Sequence, residues 1–251
     1  MLILNKDIIK LESVSSTNDF AKELLLKTLP KADITIIDTK EQTKGRGQKG
    51  NYWECEKDKN ISVSFIIKPI NLKPEFQFYL SMSVSLAIVN FLKEFTSNVS
   101  IKWPNDIYIG YKKICGILIE NSLQGDSINT AIIGIGININ QTEFSPTIPN
   151  PTSLKIEKGV NFNLSELKQQ LISSFEKHYL LILSKAFNFI HSEYLKNLYL
   201  FNIPAQFKDK TGVFTGTIRN VQQTGLLEIE KGNSESECFA FKEIEYIKSN
   251  K

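Results

Sequence analysis

Lys102-Trp103-Pro104-Asn105-Asp106, continued by Ile107-Tyr108-Ile109 and then by Lys112-Lys113-Ile114-Cys115-Gly116, is the stretch on which the fold reading turns. Val99 to Trp103, Ile107 to Ile109 and Lys113 to Asn121 read as closely spaced strands, rich in β-branched residues. Pro104 and Asn105 suit a turn between the first two. A turn does not require a lysine and an aspartate on either side of it. Charges gathered around a tight connection between apolar strands indicate a site for an anionic substrate, with a nucleotide the best match.

Outward from this stretch the chain alternates between helix and strand patterns. Ser127 to Asn140 is the next strand and contains Ile132-Ile133-Gly134-Ile135-Gly136-Ile137-Asn138. That run imitates a dinucleotide fingerprint, but Thr142, Ser145, Pro146 and Pro149 follow it and no helix begins there. The glycines are expected to let a ligand approach the strand backbone closely. Residues 144–160 read as a loop rich in Pro, Asn and Lys. Asn163 and Glu166 open a helix through Leu167, Leu171, Phe175 and Tyr179, and a second helical stretch covers Phe187 to Leu198. Upstream, Pro74 opens a long helix with Phe76, Leu80, Val84, Ala87, Ile88, Phe91 and Phe95 on one face. Ser81, Ser83, Ser85, Asn90 and Lys93 interrupt it, so it is expected to fall short of a membrane span. Ile61, Val63, Phe65 and Ile67 alternate as a strand with one buried face. Ile34, Ile36 and Ile37 form another. Ser16, with Asp19 three residues on, caps a helix carrying Phe20, Ala21, Leu24 and Leu25, closed near Pro30. After Pro204 the texture changes to short strands punctuated by Gly212, Gly216, Gly225 and Gly232, which predicts a small β-barrel of about fifty residues.

The strand at Ile34 runs into a second polar loop, Gln42-Thr43-Lys44-Gly45-Arg46-Gly47-Gln48-Lys49-Gly50. Lys and Arg total 30, yet only Arg46 and Arg219 are arginines. A guanidinium between two glycines offers a planar donor fork suited to phosphate or carboxylate. The loop lacks the Gly-Lys-Ser/Thr of a P-loop, although its glycines can turn backbone N–H groups toward an anion. It is expected to be mobile alone and to close over a ligand. Trp53 and Trp103, the two tryptophans, flank the two motifs and offer rings for stacking on a heterocycle, while Trp103 equally suits a core position.

Composition narrows the class. The 251 residues are 41% hydrophobic and 23% charged, with a net charge of +3, an ordinary globule without the basic excess of a dedicated nucleic-acid binder. Cys55, Cys115 and Cys238 are isolated, which predicts a reducing, cytoplasmic setting. The N-terminal apolar run is too short for a signal peptide. His178 and His191, the two histidines, fall in helical regions away from both motifs, so histidine catalysis and a protein-ligated metal are not expected.

Together these residues resemble the biotin–protein ligases. The motifs that carry the resemblance are Ser16-Thr17-Asn18, Gln42 with Gly45-Arg46-Gly47, Lys102-Trp103-Pro104-Asn105-Asp106, Lys113-Ile114-Cys115-Gly116-Ile117-Leu118-Ile119-Glu120, and Ile133-Gly134-Ile135-Gly136-Ile137-Asn138. Their order and spacing agree with that family over nearly the whole chain. The resemblance implies an α+β fold: a class II synthetase-like mixed sheet flanked by helices over residues 1–202, then an SH3-like barrel over 203–251. It further implies that ATP, with Mg²⁺, activates biotin as biotinyl-5′-AMP. The biotinyl group then passes to a lysine of a biotin carboxyl carrier domain.

By the same resemblance, Ser16, Thr17, Asn18, Gln42, Gly45 and Gly116 would surround biotin. Arg46 and Lys113 would hold its carboxylate and the α-phosphate. Gly47, Gln48, Trp53, Lys102, Asn105 and Asn138 would meet the nucleotide or its Mg²⁺, and Asp106 would orient the incoming amine. The catalytic set is then Arg46, Lys113 and Asp106. Many members carry Gly-Arg-Gly-Arg-x-Gly-Arg-x-Trp, where this chain has Gln48 and Asn51 at the second and third arginine positions. Lys44 or Lys49 is the candidate to replace that charge. With Ser-Thr-Asn starting at position 16, the single-function form without a DNA-binding domain is expected, as monomer or homodimer, with no nucleic-acid or membrane partner. The rivals are a lipoate-type ligase and a non-catalytic biotin-sensing regulator.

Overall fold

The computed structural model describes residues 3–69, 72–232 and 235–247, with Lys49 described by its backbone alone. Seven strands form one mixed sheet: β1 (Lys6–Leu11), β2 (Ile34–Thr39), β3 (Ile61–Ile67), β4 (Val99–Lys102), β5 (Asp106–Ile109), β6 (Lys112–Gln124) and β7 (Ser127–Ile137). They are ordered β1-β2-β3-β7-β6-β5-β4. β1 runs parallel to β2, and the other neighbours are antiparallel.

Strand alternation sends side chains to opposite faces. On one face Ile34, Ile36, Phe65, Ile133 and Ile135 join the main core under α2 (Gln77–Lys93) and α4 (Leu164–Leu183), where the Phe65 and Phe175 rings stack at 3.9 Å. On the other, Ile37, Ile66 and Ile132 pack with Ala21 of α1 (Thr17–Lys27). Each such side chain taken from water contributes about 1.5–3 kcal/mol. β3 is therefore covered on both faces, and all its residues are buried. The expectation of a single buried face for Ile61 to Ile67 is corrected, because a central strand between two layers has no solvent side.

The capping residues act as anticipated. Ser16 accepts from the Asp19 N–H at 3.4 Å, and Asn163 accepts from the Ser165 N–H at 3.0 Å. Pro74 opens a 3₁₀ turn that runs into α2. Contrary to the expectation that its polar residues keep it short of a membrane span, Pro74–Lys93 is by length and composition apolar enough to cross one, and its apolar window is 67% buried within the chain. Ser83 fits that core by donating to the His178 carbonyl of α4 at 2.8 Å.

Two elements were not anticipated. One is β1, and the other is α3 (Leu154–Lys158), inside the supposed loop 144–160. Ser153 caps α3, and Gly159 closes it at φ +73°, a left-handed position that favours glycine. The strand expected to reach Asn140 stops at Ile137.

α5 (Phe187–Lys196) leads into a second sheet of β8 (Pro204–Asp209), β9 (Gly212–Val221), β10 (Leu227–Lys231), β11 (Ser236–Phe239) and β12 (Glu245–Tyr246). It is antiparallel throughout, in the order β11-β10-β9-β8-β12. Trp103 Nε1 donates to the Gly225 carbonyl at 2.9 Å, tying this sheet to the Lys102–Asp106 turn.

Candidate functional site

The β4–β5 hairpin sets Lys102 directly across from Asp106. On the next strand pair Asp106 lies opposite Gly116. Lys113 Nζ reaches Asp106 Oδ1 at 2.7 Å, with the two side chains 29% and 19% exposed, so the pair is neither dry nor fully screened. Lys112, on the other side of the strand, turns to Glu157 of α3 at 3.3 Å. The Lys102 ammonium lies over the rings of Tyr108 (5.4 Å) and Tyr246 (5.0 Å). Asn105 staples the turn to β6: its Nδ2 donates to the Ile117 carbonyl at 2.7 Å, and the Ile117 N–H donates back to the Asn105 carbonyl at 3.0 Å. Trp103 is buried, with its N–H directed into the second sheet, and takes the core role.

The start of α1 forms the second wall. Gln42 Oε1 accepts from the Thr17 N–H at 2.9 Å and from its hydroxyl at 3.1 Å. Ser64 Oγ lies 2.7 Å from both Thr17 Oγ1 and Asn18 Oδ1. Asn18 Nδ2 donates to Glu120 Oε2 at 2.9 Å. Burial pushes the Glu120 carboxyl up, but hydrogen bonds from Lys22, Asn18 and Arg46 outweigh that and leave it below its ordinary value.

The glycine loop folds as a small hairpin. Gly47 N–H donates to the Asn51 carbonyl at 2.7 Å and Trp53 N–H to the Gly45 carbonyl at 2.9 Å. A side chain at Gly45 would run into the Trp53 carbonyl, so glycine there permits strand-to-strand contact. The Gly47 N–H is committed to the hairpin, which corrects the expectation that it turns toward an anion. Arg46 also points elsewhere: its guanidinium meets Asp19 Oδ1 at 2.8 Å and Glu120 Oε2 at 3.0 Å. Gln48 lines the cavity in a 3₁₀ turn, Lys44 is exposed, and the Lys49 side chain lies outside the described residues.

The floor is a window of glycines on β6 and β7. Gly116 and Gly136 are cross-strand partners, and the Trp53 indole lies where a side chain on either would be. The Asn18 carboxamide fills the corresponding place at Gly134. Trp53 and Asn18 use the space that these glycines leave, while Gly116, Gly134 and Gly136 still line the cavity.

A cavity of about 250 Å³ is lined by Ser16, Thr17, Asn18, Gln42, Arg46, Gly47, Gln48, Trp53, Lys102, Asn105, Asp106, Lys113 and Gly116. A second cavity, of about 430 Å³, shares Trp53, Lys102, Asp106 and Lys113 with it and adds Asn138, Glu54, Tyr108 and Phe144. Of the anticipated residues, Gly45 lines neither, and Asn138 lines only the second. Asn138 Nδ2 donates to the Thr152 carbonyl at 3.0 Å, while its Oδ1 is buried without a hydrogen-bond partner.

Ser64, Glu120, Asp19 and Phe241 were missed as parts of the site. Glu120 stood in a quoted motif without a role, and Ser64 was a detectable signal as a serine inside a strand of isoleucine, valine and phenylalanine. Phe241, on the cavity wall from the turn between β11 and β12, gave no local signal. Both histidines lie in helices and line neither cavity: His178 bonds to Ser174 and Asn90, and His191 to the Val221 carbonyl. Among the described residues no group of three or more His, Cys, Asp or Glu side chains is placed to hold a metal.

Two adjoining cavities on a mixed sheet share a wall that carries a lysine–aspartate pair, an arrangement able to receive an anionic substrate. Comparison with known proteins agrees. Residues 11–138 match the model of the biotin/lipoate A/B protein ligase family. Over 235 residues the chain is 30% identical to the bifunctional ligase/repressor BirA of Bacillus subtilis, covering 91% of this chain and 70% of that protein. It is 26% identical over 157 residues to the biotin–[acetyl-CoA-carboxylase] ligase of Mycobacterium tuberculosis, covering 60% of this chain and 56% of that one. Among solved structures, the biotin protein ligase of Aquifex aeolicus in complex with biotin and ATP superposes with a TM-score of 0.77 at 26% identity, covering 97% and 99% of the two chains. The chain belongs to the biotin/lipoate A/B protein ligase family.

Proposed function

We propose that this protein joins biotin to ATP as biotinyl-5′-AMP with release of pyrophosphate, then transfers the biotinyl group to a lysine of a carboxylase's biotin carboxyl carrier domain. The observation that carries this reading is the Lys113–Asp106 pair at 2.7 Å on the wall common to both cavities. Relatives named as biotin ligases, one solved with biotin and ATP, supply the substrates.

In the first step a biotin carboxylate oxygen attacks the α-phosphorus and pyrophosphate leaves. Lys113 donates to the α-phosphate oxygens as charge gathers there, and positioning with electrostatics carries the rate. In the second step the acceptor amine attacks the anhydride carbonyl carbon, AMP departs, and Asp106 orients the amine and receives its proton. No covalent enzyme nucleophile is involved. Cys115 is the nearest thiol in sequence, and burial pushes it well above its ordinary value, which keeps it protonated. The polar wall of Ser16, Thr17, Asn18 and Gln42 suits the biotin ureido group, and the cavity holding Asn138, Tyr108 and Phe144 suits the nucleotide.

Mg²⁺ would travel with the nucleotide, because it favours phosphates and water with one or two protein oxygens. The unpartnered Asn138 Oδ1 is the protein oxygen that fits it. When bound, the ion neutralises phosphate charge. We assign residues 1–202 to the ligase domain and 203–251 to a separate C-terminal domain, and place the protein in the cytoplasm, a reading supported by its free cysteines.

Mass spectrometry of a carrier domain incubated with this protein, MgATP and biotin should show one biotinyl group added at a lysine. Pyrophosphate–ATP exchange that responds to lipoate instead of biotin would transfer the assignment to the lipoate branch of the family.

A further inference from the structure

The hairpin that roofs the cavity is tied to the fold by backbone bonds at its base, Thr43 N–H to the Val14 carbonyl and Lys44 N–H to the Ser15 carbonyl, and by the Arg46 side chain. The Arg46 guanidinium leaves the hairpin and reaches two other elements: Asp19 on α1 at 2.8 Å, and Glu120 on β6 at 3.0 Å, with a further Glu120 contact at 3.3 Å. Glu120 is held from other sides by Lys22 Nζ at 2.7 Å and Asn18 Nδ2 at 2.9 Å. Two carboxylates thus face two cations, and the cluster is neutral as it stands. The two terminal nitrogens of the guanidinium are thus forked onto carboxylates, while its Nε is buried without a hydrogen-bond partner.

The same hairpin carries Trp53, bonded through its N–H to Gly45 and laid on the floor glycines Gly116 and Gly136. Fixing Arg46 therefore fixes where the indole sits, and the indole separates floor from cavity. We propose that Asp19 and Glu120 are positioning residues that clamp the 45–53 hairpin over the cavity through Arg46. Arg46 serves as the anchor of the hairpin and not as a ligand of the substrate's carboxylate or phosphate. The adenylate arm of the test below rests on the ligase reading, whereas the exchange arm does not.

The test uses the full chain with Asp19→Asn, Glu120→Gln, Arg46→Ala, Arg46→Lys and the double variant Arg46→Ala/Glu120→Gln. Amide exchange over residues 45–53 is measured without substrates, and release of preformed biotinyl-AMP by stopped-flow chase. Asp19→Asn, Glu120→Gln and Arg46→Ala should each speed both processes by about three- to tenfold, the range for partly exposed charge-assisted hydrogen bonds. Arg46→Lys should resemble Arg46→Ala, because a point charge cannot bridge two carboxylates. The double variant should be no worse than Arg46→Ala alone, since both remove one interaction. Lys22→Met, which removes a Glu120 partner outside the clamp, should change neither process by more than about twofold.

Slower adenylate release in Glu120→Gln would mean that a freed Arg46 grips the phosphate, which overturns the proposal. Unchanged amide exchange in all the variants, or additive effects in the double variant, would also overturn it. If the wild-type chain forms no adenylate from biotin, the ligase reading fails, and amide exchange alone decides the clamp.

Discussion

Replacing Lys113 with alanine removes the cation that stands 2.7 Å from Asp106 and borders both cavities. Two unit charges 4 Å apart interact by about 4 kcal/mol at an effective dielectric near 20. The Lys113 side chain is 29% exposed, so solvent screening reduces that figure. Loss of one donor aimed at developing charge costs about 3 kcal/mol, a rate loss of roughly a hundredfold. The orphaned Asp106 carboxylate adds to it by repelling the incoming anions. Rapid-quench measurement of adenylate formation in a single turnover reads the step directly, and biotin binding is followed separately. The rate should fall about a hundredfold while biotin affinity changes only a few-fold. Lys113→Ala/Asp106→Asn should recover part of the loss, because it removes the unbalanced charge together with its partner. Lys112→Ala should be nearly silent in the reaction, since Lys112 faces Glu157. A Lys113→Ala rate within a few-fold of wild type would refute the assignment, as would an equal loss from Lys112→Ala.

Amides between Thr39 and Tyr52 should exchange more slowly once biotin and MgATP are added, and equal, strong protection in both conditions would count against closure of this loop on its substrates. Gly136→Ala places a methyl against the Trp53 indole, so it should shift tryptophan emission to the red and cost about 1–3 kcal/mol in denaturant unfolding; unchanged emission would show that the ring does not rest there. Burial holds His178 below its ordinary 6.5, so the folded state prefers the neutral ring. Its contribution is complete above the unfolded-state pKa and is lost as pH falls through the lower folded value, so His178→Gln should flatten the fall in unfolding midpoint between about pH 7.5 and about pH 5. Gln48→Arg adds a charge-assisted donor to the cavity wall, worth about 1.5–3 kcal/mol, and should lengthen the lifetime of bound adenylate in a stopped-flow chase. Unchanged release in Gln48→Arg, with faster release in Lys49→Ala, would show that the missing charge sits one residue along.

Periodicity and capping made most elements of this fold legible in the sequence. α1, α2, α4 and α5 all begin or run where their caps and apolar spacing predict. β1 escaped because Lys6-Asp7-Ile8-Ile9-Lys10-Leu11 is an exposed edge with weak alternation, and only its pairing with β2 makes it a strand. α3 escaped because five residues give no helical period, and its Ser153 cap and Gly159 stop lie among loop-forming residues. At the site, sequence motifs selected the right neighbourhood but not the pairings. Lys113 and Asp106 meet because a β-bulge shifts the register between Ile107 and Tyr108, which sets Lys113 opposite Tyr108, two residues from Asp106 and on the same face of the sheet. Glu120 meets Arg46 across 74 residues, a contact that no local pattern encodes.

The run Ile133-Gly134-Ile135-Gly136-Ile137 shows how one strand serves stability and function together. Its odd positions carry isoleucines into the core beneath α2 and α4, and each is buried. Its even positions would face α1 with equal bulk, as Ile132 does, had they kept a side chain. Glycine at 134 and 136 withdraws that bulk only where Asn18 and Trp53 descend. The floor of the cavity is therefore shaped by residues that arrive from α1 and from the loop. A change in the loop's anchoring then alters the floor as well as the roof. Substitutions at Asp19 or Glu120, away from the Lys113–Asp106 pair, should accordingly be felt at the biotin end of the cavity before they are felt at the phosphate.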